Sequence, residues 1–289
     1  MMQVENRTNA TAERNGTVSK LSISDLTESQ STLLMPLWAR AMENRHPQPL
    51  MEDRKAVEIV DSLEFDFASF EAKGVPQADY CIRASVIDQL VTEFLADHPS
   101  GTVVEFGVGL DTRFDRLDNG QVSWIELDLP HVIDLRERFF ESTERRRMLR
   151  GSIAEADWIE QVIPLVKGPT LFVAEGVLYF ITAAQVHTLI ANLVSRFTSS
   201  SFVFDAQSPW FLRFSNLRQP VPNAQMKFSV GNVRELCGPN SKQHVHRWIG
   251  YGDSPYYDGK MQRLSPLKFW GRRLCPPVRS MFKIIDLRW

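Results

Sequence analysis

Between residues 102 and 205 the chain alternates short apolar runs with longer amphipathic ones, and no other feature restricts the fold as tightly. Runs at 102–106, 122–128, 147–151, 170–175 and 201–205 have strand length and lean on Val, Ile, Leu and Phe. Between them the spacing predicts helices over 131–147, 158–166 and 182–197, the last opened by the capping hydroxyl of Thr182. A helix over 80–95 precedes the first strand, with Ile82, Val86, Ile87, Leu90, Val91 and Phe94 at helical spacing. Such alternation requires a parallel sheet whose right-handed crossovers cover both faces. Open parallel sheets bind ligands beyond the carboxyl ends of their strands, where the strand order reverses.

The turn leaving the first strand reads Glu105-Phe106-Gly107-Val108-Gly109-Leu110-Asp111-Thr112-Arg113. Gly107 and Gly109 remove side chains, so backbone can approach a ligand and adopt positive φ. No Lys-Ser or Lys-Thr follows, which excludes a Walker loop. Thr112 stands where a third glycine would complete the dinucleotide fingerprint. Glu105 and Asp111 repel phosphate and favour a cationic or zwitterionic ligand. The second strand closes on Glu126-Leu127-Asp128, acids well placed to hold ribose hydroxyls, with capping of the next helix as the alternative. A phosphate-free ribose beside carboxylates points to S-adenosylmethionine.

A formal net charge of −2 over 289 residues offers no basic field, so nucleic acid is not expected as a partner. Cys81, Cys237 and Cys275 are far apart and odd in number, which argues against a disulfide scaffold and for a reducing, cytoplasmic setting. No apolar run reaches the roughly 18 residues of a membrane span, so no membrane partner is expected. Residues 1–20 are polar, lack a signal-peptide plan and read as a disordered tail. Residues 22–25 carry helix-starting chemistry, Pro36 breaks or starts a helix, and 53–70 read as helical. After 206 the alternation degrades, until possible strands at 245–251 and 283–288.

Four segments resemble the leucine carboxyl methyltransferase superfamily, class I S-adenosylmethionine-dependent enzymes. They are Arg83-Ala84-Ser85-Val86-Ile87-Asp88, the glycine turn, Trp124-Ile125-Glu126-Leu127-Asp128-Leu129-Pro130 and Ala174-Glu175-Gly176-Val177-Leu178-Tyr179-Phe180. They lie in order over about a third of the chain, and the branch they resemble most is the polyketide O-methyltransferases. The resemblance implies an α/β, Rossmann-like class I methyltransferase fold with a mostly parallel seven-stranded sheet, a helical N-terminal preface and an inserted lid. The division expected is a tail at 1–20, a helical cap at 21–78, a cofactor-binding core at 79–208, an acceptor-binding lid at 209–260 and a closing helix and strand at 261–289.

Carried onto this chain, the resemblance implies that Arg83 reaches the cofactor's methionine carboxylate, a match for a guanidinium fork. Gly107, with Gly109 beside it, lets the cofactor pass over the turn. Asp128 holds the ribose with Glu126 close behind, and Glu175 sits near the amino group or the sulfonium. Glu105 and Asp111 complete the acidic surround. The family's Asp-Leu pair at the adenine is replaced here by Ser152-Ile153, with Glu155 and Asp157 just beyond.

The acceptor is expected to be a small molecule, aromatic or polyketide-like, methylated on a carboxylate or a phenolic hydroxyl. A carboxylate is ionised at neutral pH and needs no base, whereas a hydroxyl wants one. Tyr179, His244 and His246 are the candidate catalytic groups, with Tyr256 and Tyr257 behind them. His244 and His246 share a strand face and read as a base, a surface pair or half a zinc site that lacks a third ligand; no metal is expected. Arg213 and Arg218 are candidates to guide an acidic acceptor. Methylation of a protein C-terminal carboxylate and a non-catalytic module keeping the fold are the rival readings. A monomer or homodimer is expected.

Overall fold

The computed structural model describes residues 21–22, 30–217, 225–238, 241–253, 255–264 and 266–289. The tail at 1–20, the helix start around Asp25 and Arg218 lie outside the described residues. The sheet contains β1 (Thr102–Phe106), β2 (Ser123–Asp128), β3 (Arg146–Arg150), β4 (Thr170–Ala174), β5 (Ser200–Gln207), β6 (His244–Gly250) and β7 (Phe282–Arg288). Its order is β3-β2-β1-β4-β5-β7-β6. The first five are parallel, and β7 runs antiparallel to both β5 and β6. Strand order therefore reverses between β1 and β4, where a ligand crevice is expected.

Ahead of the sheet come α1 (Leu34–Glu43), α2 (Arg54–Ser62), α3 (Ala68–Ala72) and α4 (Gln77–Asp97). Within it are α5 (Arg113–Leu117), α6 (Pro130–Arg136), α7 (Trp158–Val162), α8 (Ala183–Arg196) and α9 (Pro209–Leu217). The strands are apolar on both faces because both faces are covered. Val104, Phe106, Phe172 and Phe202 pack under α7 and α8, against Trp158, Leu189 and Leu193. Val103, Leu171, Val173 and Val203 pack under α4, against Ile82, Val86 and Leu90. Each such burial contributes about 1.5–3 kcal/mol relative to exposure.

Pro36 sits in the first turn of α1, where a missing N–H costs nothing. Thr182 caps α8 in a reciprocal box with Gln185. Thr182→Ala is expected to lower stability by about 1 kcal/mol in urea melts without touching cofactor binding. Three expectations need correction. The helix predicted over 131–147 ends at Arg136, because Arg136 turns inward to Glu126 and 146–150 are needed as β3. The helix predicted over 53–70 splits into α2 and α3 around a two-residue strand at Leu63–Glu64. The span 209–260 is not all lid, since β6 lies inside it as an edge strand of the main sheet.

The preface is stitched to the glycine turn by buried ions. Asp53 caps α2 through Oδ1, accepting from the N–H of Ala56 at 2.9 Å. Its Oδ2 accepts from Nε of Arg40 on α1 at 2.8 Å and from the hydroxyl of Thr112 at 2.5 Å. Arg116 bridges Asp53 at 3.3 Å and Asp111 at 3.1 Å. Arg40 also donates to the carbonyl of Leu110 at 3.1 Å.

Candidate active site

The glycine turn leaves β1 at the reversal point, and its two glycines do different work. Gly107 has φ +60°, and a Cβ there would lie 1.9 Å from Cγ2 of Val177. Glycine is thus required for the loop after β4 to close on the turn, a packing demand rather than the ligand clearance expected of it. Gly109 has φ +51° and aims its N–H at Oδ2 of Asp128, 2.7 Å away at the tip of β2.

Beyond these tips opens a cavity of about 1160 Å³, wider than the roughly 300–1000 Å³ of ordinary small-molecule sites. Gly107, Gly109, Asp128, Leu129, Ser152 and Ile153 line one end. Arg83, Glu175, Asp205 and Tyr179 line its middle, and Gln207, Phe211, Tyr251, Tyr257 and Lys283 the far end. Arg83 and Asp128 therefore face one space, as the sequence requires. Ser152 and Ile153 also reach it, at the end where the resemblance puts adenine.

Asp128 makes no salt bridge among the described residues, although Arg136 lies near enough to favour its charged form. Its oxygens accept from the N–H groups of Gly109 and Leu129, both at 2.7 Å. Burial pushes its carboxyl up against those two bonds, with a net rise. Each oxygen keeps a lone pair, which suits a vicinal diol.

Arg83 extends from α4 with Nε on Glu175 at 2.9 Å and Nη1 on Asp205 at 3.1 Å. Asp205 also accepts from the Tyr179 hydroxyl at 2.6 Å and from the N–H of Gly176 at 2.7 Å. Arg113 is fully buried and touches Asp88 at 2.7 Å, Asp111 at 3.3 Å and, more closely, Glu105 and Glu175. Burial pushes the Glu105 carboxyl up to about 7, because its guanidinium is shared with three other acids. Burial also opposes ionisation of Asp111, but Arg113, Arg40 and Arg116 outweigh it and hold that carboxyl well below the usual range. The connected cluster sets six carboxylates (Asp53, Asp88, Glu105, Asp111, Glu175, Asp205) against four guanidinium groups. That excess of negative charge suits a cationic ligand, and the turn's own arginine, Arg113, is fully buried against acids and so is closed to a phosphate.

Several sequence expectations change here. Glu126 does not reach the cavity: it is 0% exposed and held by Arg136 at 2.6 and 2.9 Å and by Arg146 at 2.9 Å. One residue, Leu127, separates it from Asp128 on the same strand face, but only Asp128 stands at the tip. His244 and His246 are exposed on edge strand β6 and do not line the cavity, so they are no base for chemistry there. No metal-holding group of His, Cys, Asp and Glu occurs among the described residues. Burial and the Asp205 carboxylate raise the Tyr179 hydroxyl well above its ordinary value, so Tyr179 is a hydrogen-bond donor and not a base. Arg213 is exposed on α9 and absent from the cavity wall. Asp205 and Arg113 were missed. Asp205 had a signal, since it closes an apolar strand just as Glu105 and Glu175 close theirs.

The donor set fits S-adenosylmethionine: a carboxylate with free lone pairs for a ribose, a guanidinium for a carboxylate and an acidic surround for an ammonium and a sulfonium. Comparison with known proteins agrees. A family model described as leucine carboxyl methyltransferase matches residues 33–194, from the preface through most of α8. The tetracenomycin polyketide synthesis O-methyltransferase TcmP of Streptomyces glaucescens is 30% identical over 266 residues, covering 90% of this chain and 96% of that one. The S-adenosyl-L-methionine-dependent methyltransferase dpfgK of Gibberella zeae is 26% identical over 61% of this chain and 63% of its own length. A solved DUF574 family protein from Streptomyces avermitilis has a TM-score of 0.54 at 12% identity, covering 86% of this chain and 96% of that one, a likeness of fold alone. The chain belongs to the leucine carboxyl methyltransferase family and is an S-adenosylmethionine-dependent methyltransferase.

Proposed function

We propose that this enzyme methylates a carboxylate of a small aromatic, polyketide-like acid. One observation carries the reading: a single cavity joins the Asp128 end to a far end walled by Phe211, Tyr251 and Tyr257. Flat apolar molecules suit such walls. The similarity to the tetracenomycin polyketide synthesis O-methyltransferase supports a polyketide-like acceptor.

The choice of a carboxylate over a hydroxyl rests on where the candidate bases stand: His131, the histidine on the cavity wall, opens α6 three residues after Asp128 and so belongs to the ribose end. Tyr179 holds its proton too tightly, and the histidines of β6 are elsewhere. Asp205 already accepts from Arg83, Tyr179 and Gly176. An acceptor ionised at neutral pH needs none of them. When bound, S-adenosylmethionine supplies a methyl group already activated on a positively charged sulfur. In this reading Asp128 holds the ribose, Arg83 the amino-acid carboxylate, Glu175 the ammonium, and Ser152 and Ile153 border the adenine. The protein's main contribution is placement, worth up to roughly 7–11 kcal/mol. The acids favour binding more than the chemical step, because the sulfonium charge fades as the methyl leaves.

The test offers methyl-labelled cofactor with aromatic carboxylic acids, their phenolic analogues and a peptide with a free C-terminus. Label that mild base releases as methanol from the aromatic acids is the expected result. Base-stable label would mean an ether and a phenolic acceptor. Label in the peptide alone would make this a protein carboxyl methyltransferase.

A further inference from the structure

The cluster behind the glycine turn holds more acid than base, and it does so in a dry interior. Asp88, Glu105, Asp111 and Glu175 all meet Arg113, which is 0% exposed. Three of them have a second guanidinium: Arg116 for Asp88 and Asp111, Arg83 for Glu175. Glu105, 3% exposed on β1, has no second one among the described residues. Its other oxygen accepts a long hydrogen bond from Nε1 of Trp124 on β2, at 3.3 Å. Asp111 beside it and Glu126 on β2 repel its charge, and Arg136 on α6 favours it. Asp205 also has one guanidinium, but the Tyr179 hydroxyl and the N–H of Gly176 donate to it as well.

A buried carboxylate that is incompletely compensated takes up a proton. In this cluster Glu105 is the acid in that position, and burial carries its carboxyl up to about 7. Glu105 also lines the cavity, together with Asp111, Glu175 and Asp205. In a dry interior one charge acts on another over several ångströms, so a cation held in the cavity favours the ionised form without touching it.

S-adenosylmethionine and S-adenosylhomocysteine differ by one methyl group and one positive charge. We propose that Glu105 exchanges a proton for that charge, releasing it to solvent when the sulfonium arrives and recovering it once the sulfur is a thioether. The cluster then keeps its total charge through the cycle. With an acceptor already ionised, the methyl passes to oxygen, the C–S electron pair stays on sulfur, and the net reaction neither makes nor consumes a proton. The proposal concerns the cofactor end alone and does not depend on the acceptor. The sign of its pH dependence is fixed. Below about pH 7 the carboxyl of the free protein is protonated, so binding must expel the proton and affinity for S-adenosylmethionine falls as pH falls. Above that value the carboxyl is already ionised, and affinity levels off.

Titration calorimetry in phosphate and in Tris, whose ionisation heats differ, counts the protons released at pH 7. Subtracting the count for Glu105→Gln removes the ligand's own ammonium, which titrates at about 7.7–8.0. About half a proton is expected for S-adenosylmethionine and none for S-adenosylhomocysteine, because a carboxyl at about 7 is half protonated there. Between pH 6 and 8 the parent's affinity for S-adenosylmethionine should rise about 10-fold more than the variant's, while S-adenosylhomocysteine follows one curve in both proteins. A parent that releases no proton overturns the proposal. So does S-adenosylhomocysteine releasing as many as S-adenosylmethionine, or release that persists undiminished in Glu105→Gln. Should the variant not fold, the difference between the two ligands in the parent decides the matter by itself.

Discussion

Replacing Arg136 by methionine is expected to cost about 3–5 kcal/mol of stability. Arg136 and Glu126 are both 0% exposed and meet through two hydrogen bonds, at 2.6 and 2.9 Å. Nη1 of Arg136 also donates to the carbonyls of Gly109 at 3.0 Å and Asp111 at 2.7 Å, so one side chain holds both β2 and the glycine turn. Burial pushes the Glu126 carboxyl up, yet Arg136 and Arg146 together draw it below its ordinary value. Without Arg136 that carboxylate keeps a single cation in a dry interior, and two turn carbonyls lose their donor. Urea melts of parent and variant measure the loss, and a drop below about 1 kcal/mol would contradict this account. The double variant Arg136→Met with Glu126→Leu should recover much of the loss, because apolar replacement of a whole buried pair is often close to neutral. The pH dependence has a definite sign. A carboxyl lowered in the folded state adds stability above its unfolded value, and that addition is lost as pH falls through the lowered one. Parent stability should therefore fall on acidification more steeply than that of the double variant.

Asp128→Asn is expected to weaken cofactor binding about 100-fold, from two charge-assisted hydrogen bonds of about 1.5 kcal/mol each. The carboxylate now accepts from the N–H groups of Gly109 and Leu129 and retains lone pairs toward the cavity. An amide keeps the shape but turns one acceptor into a donor. Either a backbone N–H or a ribose hydroxyl then loses its partner, and the charge is gone from all of them. Calorimetry should show S-adenosylmethionine and S-adenosylhomocysteine weakened by the same factor, since the two share the ribose. A variant that binds both like the parent would remove Asp128 from the cofactor site.

Much of the core was legible because strand and helix periods are local. β1 and β4 fall within a residue of their expected runs, and Thr182 caps α8 as its hydroxyl and spacing require. What was not legible was the choice of partner. Glu126 and Asp128 look alike in sequence: acids two apart at the end of one strand. Their separation into an interior ion pair and a cavity wall depends on where β2 stops and where Arg136 turns in. His244 and His246 share a face, as alternation demands, but only the strand order shows that face at an outer edge.

The stitching of α1 and α2 to the glycine turn through Arg40, Asp53, Thr112 and Arg116 sets a rule for rebuilding this enzyme. A chimaera that borrows the first two helices from a relative must bring an arginine and an aspartate at the places of Arg40 and Asp53, to meet the resident Thr112 and Arg116. Otherwise a stranded aspartate sits under the turn, and acceptor preference could not be retuned from the N-terminal side without loosening the grip on the methyl donor.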